Sequence, residues 1–375
     1  MKSAAEFLVD LVRIPSPSPV SNRAVVEYAA GVLHARGWST RPVGYRDPAG
    51  VEKVNLIAAP PGQSLSDRVS DLVLMSHTDT VPYAAEWTDA LNPFVRDGHL
   101  HGCGSCDVKS FLACALAATS TIDPAQFIDG LRIVLTADEE IGCVGAAHLI
   151  ADDTLHPRRM VIGEPTSLQP ARAGKGYCLA EVTVTGKEAH SAHPAQGYSA
   201  IYHAARVITA IEKLAEQIAR DENPFFHPGY TTLNIGTIQG GTAKNIVPGL
   251  CHFQLEWRPI PGQPADAVFH SVTDLIAKLN AAAPGAQAKI TPLRRQPGFE
   301  TPADSRLVRR MESLAGRDAV SIPFGSEASL FASLAEEVIV FGPGDMRTAH
   351  SSRECVPLAE LDEATALLRT LMQRA

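Results

Sequence analysis

Three features are missing from this sequence, and each absence excludes a class of protein. No segment approaches the roughly 18 consecutive apolar residues of a transmembrane helix, so we expect no membrane partner. Lysine and arginine form no cluster, and 33 basic residues stand against 41 acidic ones, which argues against nucleic acid as a partner. Neither an internal repeat nor a low-complexity segment is present. The composition, 45% hydrophobic and 20% charged, is that of an ordinary globular chain.

The first residues and the cysteines bear on the compartment. The segment MKSAAEFLVDLVRIPSPSP is interrupted by Glu6 and Asp10, which predicts an amphipathic helix rather than a secretory signal. Seven cysteines, an odd number, indicate reduced thiols when no export signal accompanies them. We therefore expect a cytoplasmic protein.

The first half of the chain alternates strand-like and helix-like segments. The predicted helices are residues 21–36 and 108–120, and the predicted strands are 53–58, 71–76, 131–137 and 160–163. Near-continuous apolar strands alternating with helices predict an α/β fold, a mixed sheet flanked by helices.

After Pro170 the pattern changes to that of a second domain. Predicted strands at 178–185, 231–238, 250–258 and 287–292 accompany helices at 198–220 and 264–280. From about Gln296 the α/β pattern returns, with helices at 303–315, 326–334 and 357–373 and a strand at 337–341. We therefore expect one α/β domain, residues 1–172 and 296–375, with an α+β domain inserted at 173–295.

Histidine and carboxylate side chains follow the predicted strands at the points where these strands end. They are His77 and Asp79, Glu139 and Glu140, Glu164 and His350, with Asp107 before a helix. Taken singly, each is more often a structural or solvated residue. Together they place acids at one edge of the sheet, which is unfavourable unless a cation neutralises them. Two histidines with three or more carboxylates suit a pair of zinc-like ions.

An ordered set of motifs then resembles a known family. The set is SHTDTVP (76–82), CGSCDVKSFLA (103–113), ADEEIGC (137–143), IGEPT (162–166) and GPGDMRTAHSS (342–352). It is similar to the dinuclear zinc amidohydrolases and exopeptidases, which include acetylornithine deacetylase, succinyl-diaminopimelate desuccinylase and carboxypeptidase G. The segment HSAHPAQGYSAI (190–201) resembles the lid or dimerisation domain of that family. The resemblance implies that residues 1–172 and 296–375 bind metal and that 173–295 form the lid of a homodimer.

The resemblance also implies the roles of individual residues. His77, Asp107 and Glu164 would hold one divalent ion, and Asp107, Glu140 and His350 a second, with zinc expected and cobalt as the alternative. Asp79 would orient His77, Glu139 would be the general base, and His190 would stabilise the oxyanion. Asn245 and Arg258 would contact the carboxylate of the substrate, although Arg258 also suits a strand-end salt bridge. Glu327 suits either a substrate ammonium group or a helix start.

The implied reaction is hydrolysis of an N-acyl amino acid by a metal-activated water molecule. The runs DEEIGCVGAAHLI and IGEPTSLQPARAGKGY are most similar to acetylornithine deacetylases, which would place the protein in arginine biosynthesis. Other activities stay open: desuccinylation of succinyl-diaminopimelate, deacetylation of N-acetylcitrulline, and dipeptidase or carboxypeptidase activity. The alternative to an enzyme is a non-catalytic protein that binds zinc or an amino acid. Cys103 replaces an arginine of the family pattern and forms a C-x-x-C pair with Cys106, which a redox or extra metal site would also explain.

Overall fold

The computed structural model describes residues 2–374, which fold as two compact units. The first unit contains the chain up to Ala173, then Glu300–Val320 and the residues from Ser326 onward. The second unit contains Gly174–Phe299 and Ser321–Gly325. No helix among the described residues has both the length and the apolar character needed to cross a membrane.

Each predicted helix and strand overlaps an observed one, and the structure adds several elements that were not predicted. In chain order, the α-helices are α1 (Ala4–Arg13), α2 (Arg23–His34), α3 (Lys109–Thr119), α4 (Val144–Ala151), α5 (Ala200–Ile218), α6 (Ala267–Ala282), α7 (Arg306–Ala315), α8 (Ala328–Phe331) and α9 (Leu358–Met372). The strands are β1 (Ser39–Arg46), β2 (Glu52–Ala59), β3 (Val69–His77), β4 (Phe94–Arg96), β5 (His99–His101), β6 (Leu131–Thr136), β7 (His156–Gly163), β8 (Ala171–Gly174), β9 (Tyr177–Thr185), β10 (Ala189–His190), β11 (Thr232–Gly240), β12 (Ile246–Val247), β13 (Leu250–Arg258), β14 (Gln287–Gln296), β15 (Phe299–Glu300), β16 (Val320–Ile322), β17 (Glu337–Phe341) and β18 (Cys355–Pro357).

The sheet of the first unit is mixed, which confirms the predicted fold class. Its strands run in the order β1-β2-β6-β3-β7-β17-β8. The central strands β6, β3, β7 and β17 are parallel, whereas β1, β2 and β8 pair antiparallel with their neighbours. Because parallel strands end at the same edge of a sheet, the segments that follow β3, β6, β7 and β17 emerge together.

Helices α1, α2, α3 and α9 share one hydrophobic core with this sheet. Every residue of α3 is buried, which its alanine-rich sequence KSFLACALAAT permits. Helix α1 begins with a capping box, in which Ser3 and Glu6 each bond the other's backbone N–H. Its buried side chains recur at helical spacing, as predicted for an amphipathic helix.

The sequence missed strand β1 and overextended one helix. Strand β1 was not predicted, because its sequence STRPVGYR contains proline, glycine and two arginines; as an edge strand, it tolerates these residues. The helix predicted over 326–334 is the single turn α8. Turns at Leu334 and Ala335, both hydrogen bonded to the carbonyl of Phe331, reverse the chain so that β17 can begin at Glu337.

The second unit is an antiparallel sheet with two helices, which confirms the predicted α+β architecture. The strand order is β11-β13-β9-β14. Buried and partly exposed residues alternate along β9 and β13, so one face of the sheet packs against α5 and α6. The opposite face carries the partly exposed side chains, among them Tyr177 and Arg258.

Candidate metal centre

The ends of the parallel strands deliver the candidate ligands to the first unit's sheet edge. Strand β3 ends at His77, and Glu164 follows directly on β7. Glu139 and Glu140 follow β6 after a turn, and His350 lies in the segment between β17 and β18. Each side chain therefore arises at a position that the strand order fixes, although the residues are far apart in the sequence.

Asp107 is the central residue of this cluster. Its Oδ1 lies 3.1 Å from Nε2 of His77, and its Oδ2 lies 3.1 Å from Nε2 of His350. His350 Nε2 is also 3.2 Å from the carboxylate of Glu140. One carboxylate thus faces two histidines with its two oxygens, which is the arrangement of a residue that bridges two ions.

The donor atoms form two groups, each compact enough for one ion. One group is Asp107, Glu140 and His350; the other is His77, Glu139 and Glu164, and within each group the ligand atoms lie within 4.8 Å of one another. Zinc bonds of about 2.0–2.2 Å separate the ligand atoms of a tetrahedral site by roughly 3.3 Å. The observed distances suit this geometry, and imidazole with carboxylate suits zinc and neighbouring transition metals. Glu139 lies as close to His77 and Glu164 as a ligand would.

The pKa values of the cluster reflect acids that are crowded together in a buried place. Burial raises the pKa of Glu164 well above its usual range, and Asp107 and Glu139 raise it further. Burial also raises the pKa of Glu140 to about 7, against the hydrogen bond to His350. Burial alone would lower the pKa of His77, but hydrogen bonds to Asp107 and Asp79 outweigh it and raise this pKa. The raised pKa values mean that protonation relieves the repulsion among these carboxylates. A bound divalent cation would relieve the same repulsion while the carboxylates stay ionised.

Asp79 contacts more than the histidine that the sequence assigns to it. The Nδ1 atom of His77 lies 3.0 Å from the backbone carbonyl of Asp79 and 3.6 Å from its carboxylate. That carboxylate accepts hydrogen bonds from the backbone N–H of Glu139 at 3.1 Å and of Glu140 at 3.4 Å, and from the Ser18 hydroxyl at 2.8 Å. Asp79 therefore ties the end of β3 to the turn that carries the glutamate pair.

A buried ion pair supports the same turn, and sequence reasoning missed it. Asp138 adopts a left-handed conformation, with φ of 56°. Its carboxylate accepts from Lys53 Nζ at 2.7 Å and from the Tyr45 hydroxyl at 2.8 Å, and both charged side chains are buried. The only available signal was a lysine at the start of the apolar run KVNLIA in β2.

Glu354 is a second supporting residue that the sequence did not identify. Its Oε1 accepts from the backbone N–H of Cys106 at 2.9 Å and of Asp107 at 3.0 Å. Burial raises the pKa of Glu354 to about 7, and these backbone donors oppose that shift. The side chain thereby connects the segment after His350 to the loop of Asp107. A glutamate four residues after a candidate ligand is too common a pattern to have signalled this role.

The remaining predicted residues are distributed over both units. Glu327 is fully buried in the first unit, where burial raises its pKa to about 8. His190 and Asn245 are exposed in the second unit, and their segments meet where Ser191 N donates to the Asn245 carbonyl at 3.0 Å.

Arg258 ends β13, and its Nε donates to Glu256 at 2.8 Å. The strand-end salt bridge considered for Arg258 is thus present, and its two terminal amino groups make no hydrogen bond within residues 2–374.

The cysteines near the centre are buried. Burial raises the pKa of Cys103 to about 11 and that of Cys106 well above its usual value. Such thiols hold little thiolate at neutral pH, which disfavours a redox role for the C-x-x-C pair.

Comparisons with known proteins identify the family of this chain. The model of the peptidase family M20/M25/M40 matches residues 73–374. An acetylornithine deacetylase of Myxococcus xanthus is 44% identical over 96% of this chain and 94% of its own length. An acetylornithine deacetylase of Proteus mirabilis is 33% identical, with 98% and 95% covered.

Solved structures share the fold. A tripeptidase from Staphylococcus aureus superimposes with a TM-score of 0.79 at 24% identity, over 98% of this chain and 96% of that one. A dinuclear metal-binding peptidase from Bacillus subtilis gives a TM-score of 0.68 at 14% identity, with 98% and 96% covered. At these identities, the superpositions establish the fold alone.

Proposed function

This chain belongs to the peptidase family M20/M25/M40, and we propose that it removes the acetyl group from N-acetyl-L-ornithine. The two acetylornithine deacetylases named above support this substrate, since the chain covers nearly the whole length of each. The observation that carries the proposal is Asp107, whose two carboxylate oxygens each lie 3.1 Å from a histidine nitrogen. Such a bridge is what a hydrolase with two adjacent metal ions requires.

The cofactor that this donor set favours is a pair of zinc ions, with cobalt as the alternative. His77 and Glu164 would complete one site around Asp107, and Glu140 and His350 the other. When bound, the ions polarise the amide carbonyl and lower the pKa of a water molecule towards about 7. Imidazole and carboxylate donors are typical of zinc, which supports this choice over magnesium or calcium.

Glu139 acts in this proposal as the general base. Its carboxylate takes a proton from the attacking water and passes it to the leaving amine, so that acetate and ornithine are released. The backbone N–H of Glu139 donates to the Asp79 carboxylate. This bond fixes the turn and leaves the Glu139 side chain to accept and release the proton. His190 would donate to the oxyanion that forms as water attacks the amide carbon.

Three side chains would recognise the rest of the substrate. Arg258 and Asn245 would bind the α-carboxylate, for which the planar guanidinium group is well suited. Glu327 would bind the δ-ammonium group. The Glu327 side chain makes no capping hydrogen bond to the helix that follows it, and that helix is a single turn. Both observations disfavour the alternative that Glu327 is only a helix-start acid.

We also propose that the protein is a cytoplasmic homodimer joined through the second unit. Tyr202 is 70% exposed and Tyr198 is 52% exposed, and β11 lies at the edge of its sheet. Exposed aromatic side chains and an open strand edge each favour association. The seven cysteines are free thiols, as a reducing compartment requires.

A substrate panel tests the proposed function. Amine release is measured with the zinc-loaded protein on N-acetyl-L-ornithine, N-acetyl-L-citrulline, N-acetyl-L-methionine, N-succinyl-diaminopimelate and an unmodified dipeptide. We expect the highest kcat/KM for N-acetyl-L-ornithine, by at least about tenfold. A preference for the succinyl compound or for the dipeptide would overturn the substrate assignment. Metal-loaded protein without turnover on any of them would favour the non-catalytic alternative.

A further inference from the structure

The second unit contains a cavity of about 880 Å³, and none of the metal-centre residues lines it. The lining residues fall within three ranges, 191–206, 243–248 and 282–286. These ranges are the start of α5 with the segment before it, β12 with the residues on either side, and the end of α6 with the connection to β14. Pockets that bind small molecules typically have volumes of roughly 300–1,000 Å³.

Contacts between these three ranges hold the cavity in shape. The backbone N–H of Ala200 donates to the Pro248 carbonyl at 2.8 Å, which joins the first range to the second. The ring of Tyr198 packs against Gly285, where an added Cβ would overlap the ring, and this contact joins the first range to the third. The cavity is therefore formed without a ligand, as is usual for small-molecule sites.

Both charged side chains that line the cavity are cations. They are Arg206 on α5 and Lys244, two residues before β12, and both are exposed. Neither side chain makes a hydrogen bond or an ion pair with another residue between positions 2 and 374. The lining residues, all of them in the described part of the chain, include no Asp or Glu. Although the net charge of the chain is −8, the potential in this cavity favours anions.

Aromatic and aliphatic side chains form much of the remaining lining. Tyr198 and Tyr202 are exposed aromatic residues, and Ile246 and Val247 add aliphatic surface. Tyr202 and Arg206 lie four residues apart on α5, so the ring and the guanidinium group share one face of the helix. A guanidinium group can bind an oxyanion through two N–H groups, while the rings pack against an apolar group.

We propose that this cavity is a binding site for a small organic anion with an apolar body. The anionic group would contact Arg206 and Lys244, and the apolar body would contact Tyr198 and Tyr202. A cationic compound would be repelled, and an uncharged one would lack the charge-assisted hydrogen bonds. The inference goes beyond the proposed function and does not depend on it, because the lining includes no residue of the metal centre.

The test uses two fluorescent probes that differ in one anionic group. The first, 8-anilinonaphthalene-1-sulfonate, carries a sulfonate, and the second, N-phenyl-1-naphthylamine, has the same rings without it. Binding of both is measured with the zinc-loaded protein. We expect Arg206→Gln and Lys244→Gln each to weaken sulfonate binding about three- to fivefold, on the scale of an exposed charge pair, and the double variant at least about tenfold. Binding of the uncharged probe should stay within about twofold.

Lys213→Gln is the matched control, because Lys213 is exposed on α5 and does not line the cavity. It removes the same charge, and it should bind the sulfonate as the wild type does. Tyr202→Leu should weaken both probes, since the ring contacts the apolar body of each. Equal losses in Lys213→Gln and Lys244→Gln would overturn the inference, and so would a double variant that binds the sulfonate with wild-type affinity.

Competition against the bound sulfonate tests the chemical class of the ligand. We expect benzoate and phenyl phosphate to displace it, and benzyl alcohol and inorganic phosphate to do so at least about tenfold more weakly, because each lacks one of the two parts. Inorganic phosphate as effective as phenyl phosphate would overturn the inference.

Two other occupants of the cavity are distinguished in the same assay. Displacement of the sulfonate by N-acetyl-L-ornithine would show that the cavity belongs to the substrate site. Loss of sulfonate binding as the protein dimerises, followed over a series of protein concentrations, would show that a second copy of the chain covers the cavity. Either result would overturn the inference and leave the proposed deacetylase activity untouched.

Discussion

At the scale of single residues, the metal centre depends on how one carboxylate is shared. Asp107 contacts both histidines, and in the proposed ligand sets it belongs to both sites. The order of motifs along the sequence identified this aspartate by resemblance. Its position between His77 and His350 supports the proposed bridge, because a bridge needs both oxygens within bonding reach of two ions.

Distances alone do not decide whether Glu139 is a metal ligand or the general base, since it lies among the candidate ligands. We expect Glu139→Gln to lower kcat by about 10²- to 10⁴-fold, because an amide cannot accept and return the proton. Metal content, measured by atomic emission, should stay near two ions per chain. Glu140→Gln provides the matched control, and it should lose metal. A Glu139→Gln protein with one ion missing would show that Glu139 is a ligand and not the base.

At the scale of elements, the turn after β6 is held by the Lys53–Asp138 ion pair. Lys53→Met should destabilise the metal-free protein by about 3–5 kcal/mol, because it leaves the buried Asp138 carboxylate without its cation. The change is measured as the shift of the urea unfolding midpoint. The double variant Lys53→Met with Asp138→Asn should recover part of this loss, since no buried charge is left unpaired. A loss below about 1 kcal/mol in Lys53→Met would contradict the assigned role of the pair.

The Asp107 loop depends in the same way on Glu354. Glu354→Ala removes the acceptor for two backbone N–H groups, so the loop that presents Asp107 loses its support. We expect zinc affinity, measured by competition with a chromogenic chelator, to fall about 10- to 100-fold. Glu354→Gln keeps a carbonyl oxygen that can accept both bonds, and it should retain most of the affinity. Equal losses in the two variants would mean that the charge of Glu354 matters, and not its hydrogen bonds.

Sequence patterns predicted those elements whose cause is local. Helix α5 and strands β3, β6 and β9 follow from apolar periodicity, which each segment carries in its own residues. Strand β1 could not be predicted, because an edge strand needs neither alternation nor an apolar face. Helix α8 was predicted too long, since its end is set by the return of the chain to β17.

At the scale of the whole molecule, metal binding and folding should be coupled. The candidate ligands come from segments that converge only in the folded first unit, so we expect the ions to bind the native chain and not the unfolded one. Prolonged treatment with a chelator should abolish hydrolysis and lower the thermal unfolding temperature. A ligand at 100 times its Kd adds about 2.7 kcal/mol of stability, which sets the scale of the effect.

Readdition of zinc should restore both activity and unfolding temperature, whereas calcium should restore neither, because two of the candidate ligands are imidazole nitrogens, which zinc binds and calcium does not favour. The Asp107→Asn variant is the control, because it lacks the proposed bridging carboxylate. Its unfolding temperature should respond little to zinc. Full activity in a preparation that elemental analysis finds free of metal would contradict the metal-dependent mechanism.

The sequence by itself determined the α/β class and the inserted α+β segment, because both depend on local periodicity. It also predicted the candidate ligands, from side chains next to strand ends and from the order of the motifs. The lid and dimer roles assigned to residues 173–295 remain predictions.

Only the tertiary structure decided which side chains support the site. Lys53 and Asp138 are 85 positions apart, and Asp107 and Glu354 are 247 apart. Such contacts depend on distances in space between segments that no local pattern relates, so they could be recognised only once the chain was folded.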